Sequence, residues 1–236
     1  MNYEYIDWTN LSDCSIIEEG VCEGKICCII VTYKNKKYVL KEFSETSNSG
    51  IDYVVIDECK KHFGLNDMNM TIIKSNKGLV KINKRIKKYA FNCNISDKEC
   101  IYYMMDYWEN IGDMRKHIDI VDKSVVYQCL KIILFNGLFL SSDNIIRNIL
   151  INKNDEVLSI DEDDLFGNTK CIFQKSKWPK KKKFRDMIYS IIDEFTKNKI
   201  EIKKNVEMTF TKYNYDKIGL FNTRFDNFKN LVATEF

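Results

Sequence analysis

The stretch SDNIIRNILINKNDEVLSID, residues 142–161, is the part of the sequence that decides the fold. Its middle, NKND at 152–155, is rich in turn-forming residues, and an apolar run lies on each side of it. Apolar runs of this length around such a turn predict a β-hairpin. The polar residues just outside the two strands would then lie at the open end of the hairpin.

Three polar side chains are predicted to gather at that open end. A turn centred between Asn154 and Asp155 would pair Asn148 with Asp161 across the two strands. Amide and carboxylate oxygens are ligands that Mg²⁺ accepts in proteins, where phosphate and water complete its shell. Asp143 lies five residues before Asn148 and can reach the same space. There it could accept a proton from an attacking hydroxyl.

The spacing of these residues resembles that of the protein-kinase superfamily. Asp-x-x-x-x-Asn, a short hairpin and a following Asp make up the catalytic loop and the metal-binding motif of those enzymes. Asp161 lies thirteen positions after Asn148, which is also the usual interval in the superfamily. The resemblance implies that Asp143 is the catalytic base and that Asn148 and Asp161 bind Mg²⁺. It also implies an α+β fold with two lobes.

Two departures from the usual motifs indicate an atypical kinase. Ser141-Ser142 stands where protein kinases have His-Arg, and Asp161-Glu162-Asp163 stands where they have Asp-Phe-Gly. Enzymes similar to phosphoinositide kinases also use Asp-x-x-x-x-Asn and often begin the metal motif with Ile-Asp, as Ile160-Asp161 does here. The resemblance favours a protein Ser/Thr hydroxyl as acceptor. It leaves open a phosphoinositide or another small molecule.

The first half of the chain is predicted to be rich in strands. Alternating or continuous apolar runs predict strands over 26–33, over 37–43, within 70–91 and over 100–105. The first two would form a hairpin through the turn at 34–36. Helical spacing predicts one helix over 51–63, which Gly64 would end.

Lys41 and Glu58 resemble the phosphate-binding pair of kinases. Lys41 ends the run Tyr-Val-Leu-Lys, which is similar to the kinase strand Val-Ala-Ile-Lys whose lysine contacts the nucleotide phosphates. Glu58 lies on the helix that follows and would hold Lys41 through an ion pair. Glu42 and Glu45 are alternative partners, although both precede the helix.

Further residues of the nucleotide site follow from the same resemblance. Gly20 and Gly24 lie just before the strand predicted over 26–33, where kinases have a glycine-rich loop that lets the backbone approach phosphate. Met104, Met105 and Asp106 would form the hinge that offers backbone amide and carbonyl groups to adenine. The implied cofactors are ATP and Mg²⁺.

The second half of the chain is predicted to be mostly helical. Apolar spacing predicts helices over 122–137, 184–195 and 221–231. The order of elements divides the chain into a strand-rich nucleotide-binding lobe, 1–105, and a mainly helical catalytic lobe, 106–236. Together they would form one kinase-like domain, although the residues beyond 200 resemble nothing in it.

The composition narrows the class of protein. With 236 residues, 44% hydrophobic and 30% charged, the chain can bury a sizeable core. Its net charge of +3 is too small to indicate nucleic-acid binding. We expect no signal peptide and no membrane span, because the apolar stretches are short and interrupted by polar residues.

The nine cysteines do not indicate a disulfide framework, because residues such as Cys59 and Cys129 sit inside apolar runs. We therefore expect a reducing, cytoplasmic compartment. The single proline and the many lysines, asparagines and isoleucines indicate an AT-rich genome, such as that of a virus or a parasite.

A basic run, Lys180 to Lys183, follows the predicted metal motif. Such runs usually form a solvated surface, but beside a phosphoryl-transfer site this one would suit an anionic acceptor, either an acidic peptide or a phosphoinositide headgroup.

A third possibility for the function, besides transfer to a protein or to a small molecule, belongs to another class of protein. The altered motifs would also fit a pseudokinase that binds a nucleotide or a protein without transferring phosphate.

Overall fold

The computed structural model describes residues 4–5, 15–19, 28–33, 35–43, 49–75, 100–117, 122–141, 146–160, 162, 165–166 and 182–235. The chain divides into two compact units. The first comprises residues 1–50 and 68–108, and the second comprises residues 51–67 and 109–236.

The first unit is built on a six-stranded sheet. Its strands are β1 (Glu4–Tyr5), β2 (Ser15–Glu19), β3 (Cys28–Tyr33), β4 (Lys36–Phe43), β5 (Thr71–Ser75) and β6 (Cys100–Asp106). Their order across the sheet is β1-β5-β6-β4-β3-β2. All neighbouring pairs are antiparallel except β1 and β5, which run parallel.

The predicted hairpin between β3 and β4 is confirmed. β3 has the sequence CIIVTY, and its β-branched residues suit a pleated, half-buried surface. Asn35 in the connecting turn has a φ of 61°, a left-handed conformation that asparagine tolerates better than most residues. Tyr33 therefore pairs directly with Lys36. The strand predicted over 100–105 is confirmed as β6, whereas the apolar run at 78–82 lies outside the described residues.

The second unit combines helices with a small antiparallel sheet. Its helices are α1 (Ser49–His62), which begins at the border of the unit, α2 (Lys123–Leu138), α3 (Arg185–Lys197), α4 (Lys199–Lys212), α5 (Ile218–Asp226) and α6 (Phe228–Ala233). Its strands are β7 (Gly112–Asp113), β8 (Ile149–Ile151) and β9 (Val157–Ser159), in the order β7-β8-β9.

The core of the second unit surrounds α2, which is buried along most of its length. Helix α1 contributes to that core through a phenylalanine at its end. The ring centroid of Phe63 lies 5.1 Å from that of Phe135 on α2 and 4.8 Å from that of Phe195 on α3, in edge-to-face geometry. Cys59 and Cys129 are buried free thiols of this core, and burial raises the pKa of Cys129 to about 12.

Helix α1 also ends as predicted. Gly64 has a φ of 62°, and the amides of Gly64 and Leu65 donate to the carbonyls of Lys61 and Lys60. This pair of bonds closes the last turn in the manner that a glycine after a helix favours.

Three features differ from the sequence predictions. Helix α2 continues past Asn136-Gly137 to Leu138, which is fully buried. Burying a leucine stabilises a fold by about 1.5–3 kcal/mol, which exceeds the roughly 1 kcal/mol that a glycine costs inside a helix. The helix predicted over 221–231 is two helices, α5 and α6, which meet at Asn227. Helix α4 was not predicted.

The α+β class is confirmed by these sheets and helices. The compact units group residues 51–67 with the second unit, whereas the predicted lobe boundary at 105/106 put them in the first lobe. That lobe division stays a prediction about function. Among the described residues, no helix has the length and apolar character needed to cross a membrane.

Candidate active-site elements

The hairpin predicted from residues 142–161 is confirmed as β8 and β9, but its register differs by one residue. Ile149 pairs with Ser159, Leu150 with Leu158, and Ile151 with Val157. Asn148 therefore lies opposite Ile160, whose amide donates to the Asn148 carbonyl at 2.8 Å. The predicted register, with Asn148 opposite Asp161, is wrong.

The turn of this hairpin explains the shift. Its amide at Asp155 donates to the carbonyl of Asn152, and Asp155 has a φ of 60°. A four-residue turn over 152–155 whose last residue is left-handed is a common form of the three-residue hairpin connection, here residues 153–155. The side chain of Asn152 stabilises it, because its Oδ1 accepts from the amides of Asn154 at 2.9 Å and Glu156 at 3.0 Å.

Asn148 lies at the open end of the hairpin, at the end of a short 3₁₀ turn, Ile146–Asn148. Only 9% of its surface is exposed. An amide oxygen has the chemistry that Mg²⁺ accepts, and that ion usually keeps several waters. Asp143 and Asp161, the predicted base and second ligand, lie outside the described residues. Their meeting with Asn148 stays a prediction.

The residue after Asp161 is held by a buried ion pair. The ammonium of Lys60, on α1, lies 2.8 Å from Oε2 of Glu162, and both side chains are almost fully buried. Lys60 also donates to the Ser159 carbonyl at 2.9 Å, and Oδ1 of Asp57 lies 3.7 Å away. Lys60 thus joins helix α1 to the segment that carries the predicted metal motif.

Helix α2 completes the surroundings of Glu162. Its Asn136 donates to Oε1 of Glu162 at 3.4 Å, so each oxygen of the buried carboxylate has a donor. The buried Asn136 Oδ1 and Ser159 Oγ atoms have no hydrogen-bond partner among the described residues. The buried Glu162 carboxylate is therefore matched by polar neighbours from α1 and α2.

A second contact ties α1 to the segment after Asp161. Asp52 accepts a hydrogen bond from the amide of Leu165 at 3.1 Å and another from the hydroxyl of Tyr215 at 2.7 Å. Burial, together with the charge of Asp52, raises the pKa of Tyr215 well above its usual value. The amide of Phe166 donates to the carbonyl of Phe139, which lies just after α2.

The C-terminal end of helix α2, which precedes the predicted catalytic loop in the sequence, is capped by a buried arginine. Arg224 on α5 donates from Nε to the Leu138 carbonyl at 2.9 Å and from Nη2 to the Gly137 carbonyl at 2.8 Å. These are carbonyls of the last turn of α2, where the Gly137 carbonyl also accepts from the Leu140 amide at 3.3 Å. The helix end that precedes Asp143 in the sequence is therefore fixed from the C-terminal part of the chain.

Glu58, the predicted partner of Lys41, has two partners within the second unit. Its Oε2 accepts from Lys212 at 2.6 Å and from the hydroxyl of Tyr213 at 2.8 Å. Burial raises the pKa of Glu58, but the hydrogen bonds from Lys212 and Tyr213 outweigh it and bring the pKa below its ordinary value. The ion pair between Lys41 and Glu58 stays a prediction.

Lys41 lies on β4, an interior strand of the sheet, and only 9% of its surface is exposed. It pairs with Tyr103 on β6, and Val39 pairs with Met105. Because alternate residues of a strand share a face, Met105 lies on the same face of the sheet as Lys41 and Met104 on the other.

The residues predicted as the hinge belong to the end of β6. The amide of Asp106 donates to the Met68 carbonyl at 2.8 Å, and the amide of Tyr107 donates to the Lys37 carbonyl at 3.1 Å. The side chain of Asp106 is bound by Lys36 at 2.6 Å and by Asn69 at 3.0 Å. The adenine-binding role of Met104, Met105 and Asp106 stays a prediction.

Several other predicted residues lie outside the described residues: Gly20, Gly24, Lys180 and Lys181. Lys183 is described and exposed. Among the described residues, no group of three or more His, Cys, Asp and Glu side chains is arranged to hold a metal ion.

Sequence reasoning missed Lys60, Asp52 and Arg224. Lys60 follows the apolar core residue Cys59 and reads as a surface residue at the end of a helix. Glu162 is the sequence feature that could have indicated Lys60. A glutamate next to a predicted metal ligand needs a cation nearby if its side chain is buried.

No protein-family model and no curated protein sequence matches the chain. Two solved structures similar to it are kinases. The kinase PK-1 of Cydia pomonella granulovirus is 17% identical with a TM-score of 0.38, and the match covers 65% of this chain and 52% of that one. A MAP kinase from Leishmania major is 12% identical with a TM-score of 0.36, and the match covers 64% of this chain and 46% of that one. The chain therefore spans about half the length of these structures. At such TM-scores, function has to be inferred from the residues themselves.

Proposed function

We propose that the chain is an atypical kinase that transfers the γ-phosphoryl group of ATP to a hydroxyl acceptor with the help of Mg²⁺. One observation carries this proposal. A buried Asn148 stands at the open end of the β8–β9 hairpin. In the sequence it is flanked by Asp143 and Asp161 at the spacing that kinases use.

Each predicted residue has a separate task in this reaction. Asn148 and Asp161 would hold Mg²⁺, which when bound neutralises charge on the phosphates. Lys41 would bind the phosphates through its ammonium. Asp143 would accept the proton of the acceptor hydroxyl and orient that oxygen toward phosphorus. Gly20 and Gly24 would let the backbone approach the phosphates, and the end of β6 would contact adenine.

The acceptor is proposed to be a Ser or Thr side chain of a protein. A phosphoinositide or another small molecule is the alternative, because Asp-x-x-x-x-Asn and Ile-Asp are similar to the motifs of those kinases as well. In either case an anionic acceptor would suit the basic run Lys180 to Lys183. We place this activity in the cytoplasm, where buried free thiols such as Cys59 and Cys129 persist.

Transfer from labelled ATP tests the proposal. The panel consists of acidic and basic proteins, phosphoinositide vesicles and the chain itself, each with Mg²⁺ and with a chelator. We expect Mg²⁺-dependent transfer that disappears in Asp161→Ala and falls by about 10²–10⁴-fold in Asp143→Ala. Asp216→Ala, an exposed aspartate far along the chain, is the matched control and should keep full activity. Undiminished turnover in both site variants would exclude the proposal.

A second candidate function is nucleotide binding without transfer. It is favoured by Glu58, whose carboxylate binds Lys212 and Tyr213 within the second unit. A glutamate engaged in this way is less available to Lys41. The distinguishing result is a rise in melting temperature with ATP and Mg²⁺ in a protein that labels no acceptor of the panel. Transfer to any acceptor would exclude this candidate.

A further inference from the structure

The ammonium of Lys60 has no exposed surface. A charge removed from water in this way costs free energy unless nearby groups compensate it. Here the compensation comes from the Glu162 carboxylate at 2.8 Å and the Ser159 carbonyl at 2.9 Å, with the Asp57 carboxylate at 3.7 Å. Lys60 therefore has fixed partners in a fixed geometry.

The partners of Lys60 lie on both sides of the predicted metal ligand in the sequence. Ser159 is two residues before Asp161, and Glu162 is the residue after it. Between them, the amide of Ile160 donates to the carbonyl of Asn148. The described residues before and after Asp161 in the sequence are thus bonded, and the bond of Ile160 is made to Asn148 itself.

Lys60 and Asn66 both bind carbonyls along the edge of the small sheet. Strand β9 is an edge strand in the order β7-β8-β9, so its outward carbonyls lack a partner strand. Asn66 donates to the Val157 carbonyl at 2.9 Å, and Lys60 donates to the Ser159 carbonyl two residues on. Side chains from α1 and the residues after it therefore fix β9 along its length.

Stability alone does not account for a buried ion pair at this position. Replacing such a pair by apolar residues of similar volume is often neutral or stabilising, and typical kinases have an apolar phenylalanine where Glu162 stands. The pair instead fixes the orientation of the Glu162 side chain, because Lys60 binds one carboxylate oxygen and Asn136 binds the other. Helices α1 and α2 thereby fix the position of Glu162.

We infer that Lys60 and Glu162 are positioning residues for the cation site. Through Ser159 and Glu162 they fix the described residues on either side of Asp161 in the sequence, and Ile160 between them is bound to Asn148. The two proposed ligands would then be set in place before Mg²⁺ binds. This inference rests on the proposed function, since it concerns the same site. It adds that cation affinity depends on an ion pair that does not touch the ion.

The test is a Mg²⁺ titration of nucleotide binding, followed with a fluorescent ATP analogue. The variant is Lys60→Met/Glu162→Gln, which removes both charges together and leaves no buried charge of the pair unmatched. We expect the Mg²⁺ midpoint to rise about 10–100-fold, as when an outer partner of a metal ligand is lost. Binding of the analogue without metal should keep its affinity.

A matched control removes another lysine–glutamate pair of the second unit. Lys131 on α2 and Glu194 on α3 are joined at 2.5 Å. Lys131→Met/Glu194→Gln makes the same chemical change away from the metal motif, and its Mg²⁺ midpoint should equal that of the wild type.

The outcomes separate this inference from the function on which it rests. If the wild type binds the analogue without any effect of Mg²⁺, the proposed function fails and the inference fails with it. If Mg²⁺ strengthens binding in the wild type and in Lys60→Met/Glu162→Gln with the same midpoint, only the inference is overturned. Failure of that double variant to fold would overturn it too, because the pair would then serve folding and not position.

Discussion

Lys60 has a consequence for stability that is separate from its role near the cation. Lys60→Met leaves the Glu162 carboxylate buried, with Asn136 as its remaining donor at 3.4 Å. Breaking one half of a buried ion pair typically costs about 3–5 kcal/mol. We expect the free energy of unfolding in urea to fall by that amount in the single variant. Part of the loss should return when Glu162→Gln is added, whereas the buried Asp57 carboxylate, 3.7 Å from the Lys60 ammonium, still loses that cation.

An exposed lysine gives the comparison for this prediction. Lys203 pairs with Asp226 at 2.7 Å, but half of the aspartate side chain is exposed. Pairs of this kind contribute at most about 1 kcal/mol. Lys203→Met should therefore lower the free energy of unfolding by less than that. A loss in Lys60→Met that is no larger than the loss in Lys203→Met would contradict the assignment of Lys60 as a buried, paired charge.

Glu58 makes part of the stability depend on pH. Its pKa is lower in the folded protein than its ordinary value of 4.5, because the bonds from Lys212 and Tyr213 outweigh the opposing effect of burial. The ionised form is therefore favoured by folding. Its contribution is present above about pH 4.5 and is lost as the pH falls through the lowered folded pKa.

Glu58→Gln tests this pH dependence. At pH 7 the variant should be less stable than the wild type by up to about 1 kcal/mol, because a quarter of the Glu58 side chain is exposed. The difference should shrink as the pH falls below about 4.5 and through the lowered folded pKa of Glu58, where the wild-type carboxyl takes up its proton. Urea unfolding from pH 3 to 7 measures it, with the exposed Glu207→Gln as control. A difference that is constant with pH would exclude the pair as its cause.

The sequence could predict which residues form the β8–β9 hairpin but not how they align. The residue types 149–151 and 157–159 specify two strands, whereas the register depends on whether the turn has two or three residues. In the structure the turn has three residues, and its last residue, Asp155, has a left-handed φ of 60°. Aspartate tolerates that conformation without requiring it. A one-residue change of register is enough to put Ile160 opposite Asn148.

The end of helix α2 is bound by an arginine from another helix in addition to backbone bonds, such as the bond from the Ser141 amide to the Asn136 carbonyl. Arg224 donates to the Gly137 and Leu138 carbonyls, which water cannot reach easily because Leu138 and Phe139 are fully buried. Hydrogen bonds from a charged group contribute about 1.5–3 kcal/mol. We expect Arg224→Met to lower the free energy of unfolding by about that amount, measured by thermal and urea unfolding.

Exposed Arg185 on α3 is the matched position for Arg224. Arg185→Met should change the free energy of unfolding by less than about 0.5 kcal/mol. Arg224→Lys should recover only part of the loss, because an ammonium cannot reproduce the two-nitrogen geometry of the guanidinium. Full recovery with lysine would show that charge alone, and not the two directed bonds, caps the helix.

The sequence predicted helices whose apolar residues recur with a clear helical period. It did not predict a helix whose stability depends on contacts with distant parts of the chain. Helix α3 has a clear apolar face and was predicted almost to its ends. Helix α4 has the sequence KIEIKKNVEMTFTK, in which the buried residues are few and separated by charges. Its buried positions, such as Val206 and Phe210, are fixed by packing against other helices of the unit, and a local pattern does not record those contacts.

At the scale of the whole molecule, helix α1 belongs to the second unit. The residues that bind it there come from two parts of the chain. The metal-motif segment contributes Glu162 and the Leu165 amide, and α4 with the residues after it contributes Lys212, Tyr213 and Tyr215. An element held by so many partners of one unit should lose its structure only when that unit does.

Native-state hydrogen exchange tests whether α1 opens with the second unit. Leu40→Ala removes a fully buried side chain of the first unit, and Phe135→Ala removes one from the core of the second. Each creates a cavity that typically costs about 2–5 kcal/mol. Leu40→Ala should speed exchange in β4 and β6 and leave the amides of residues 54–62 protected. Phe135→Ala should speed exchange in α1 and α2 together. If α1 followed Leu40→Ala instead, it would open with the sheet of the first unit, and its contacts with Glu162 and Tyr215 would not be the ones that determine its stability.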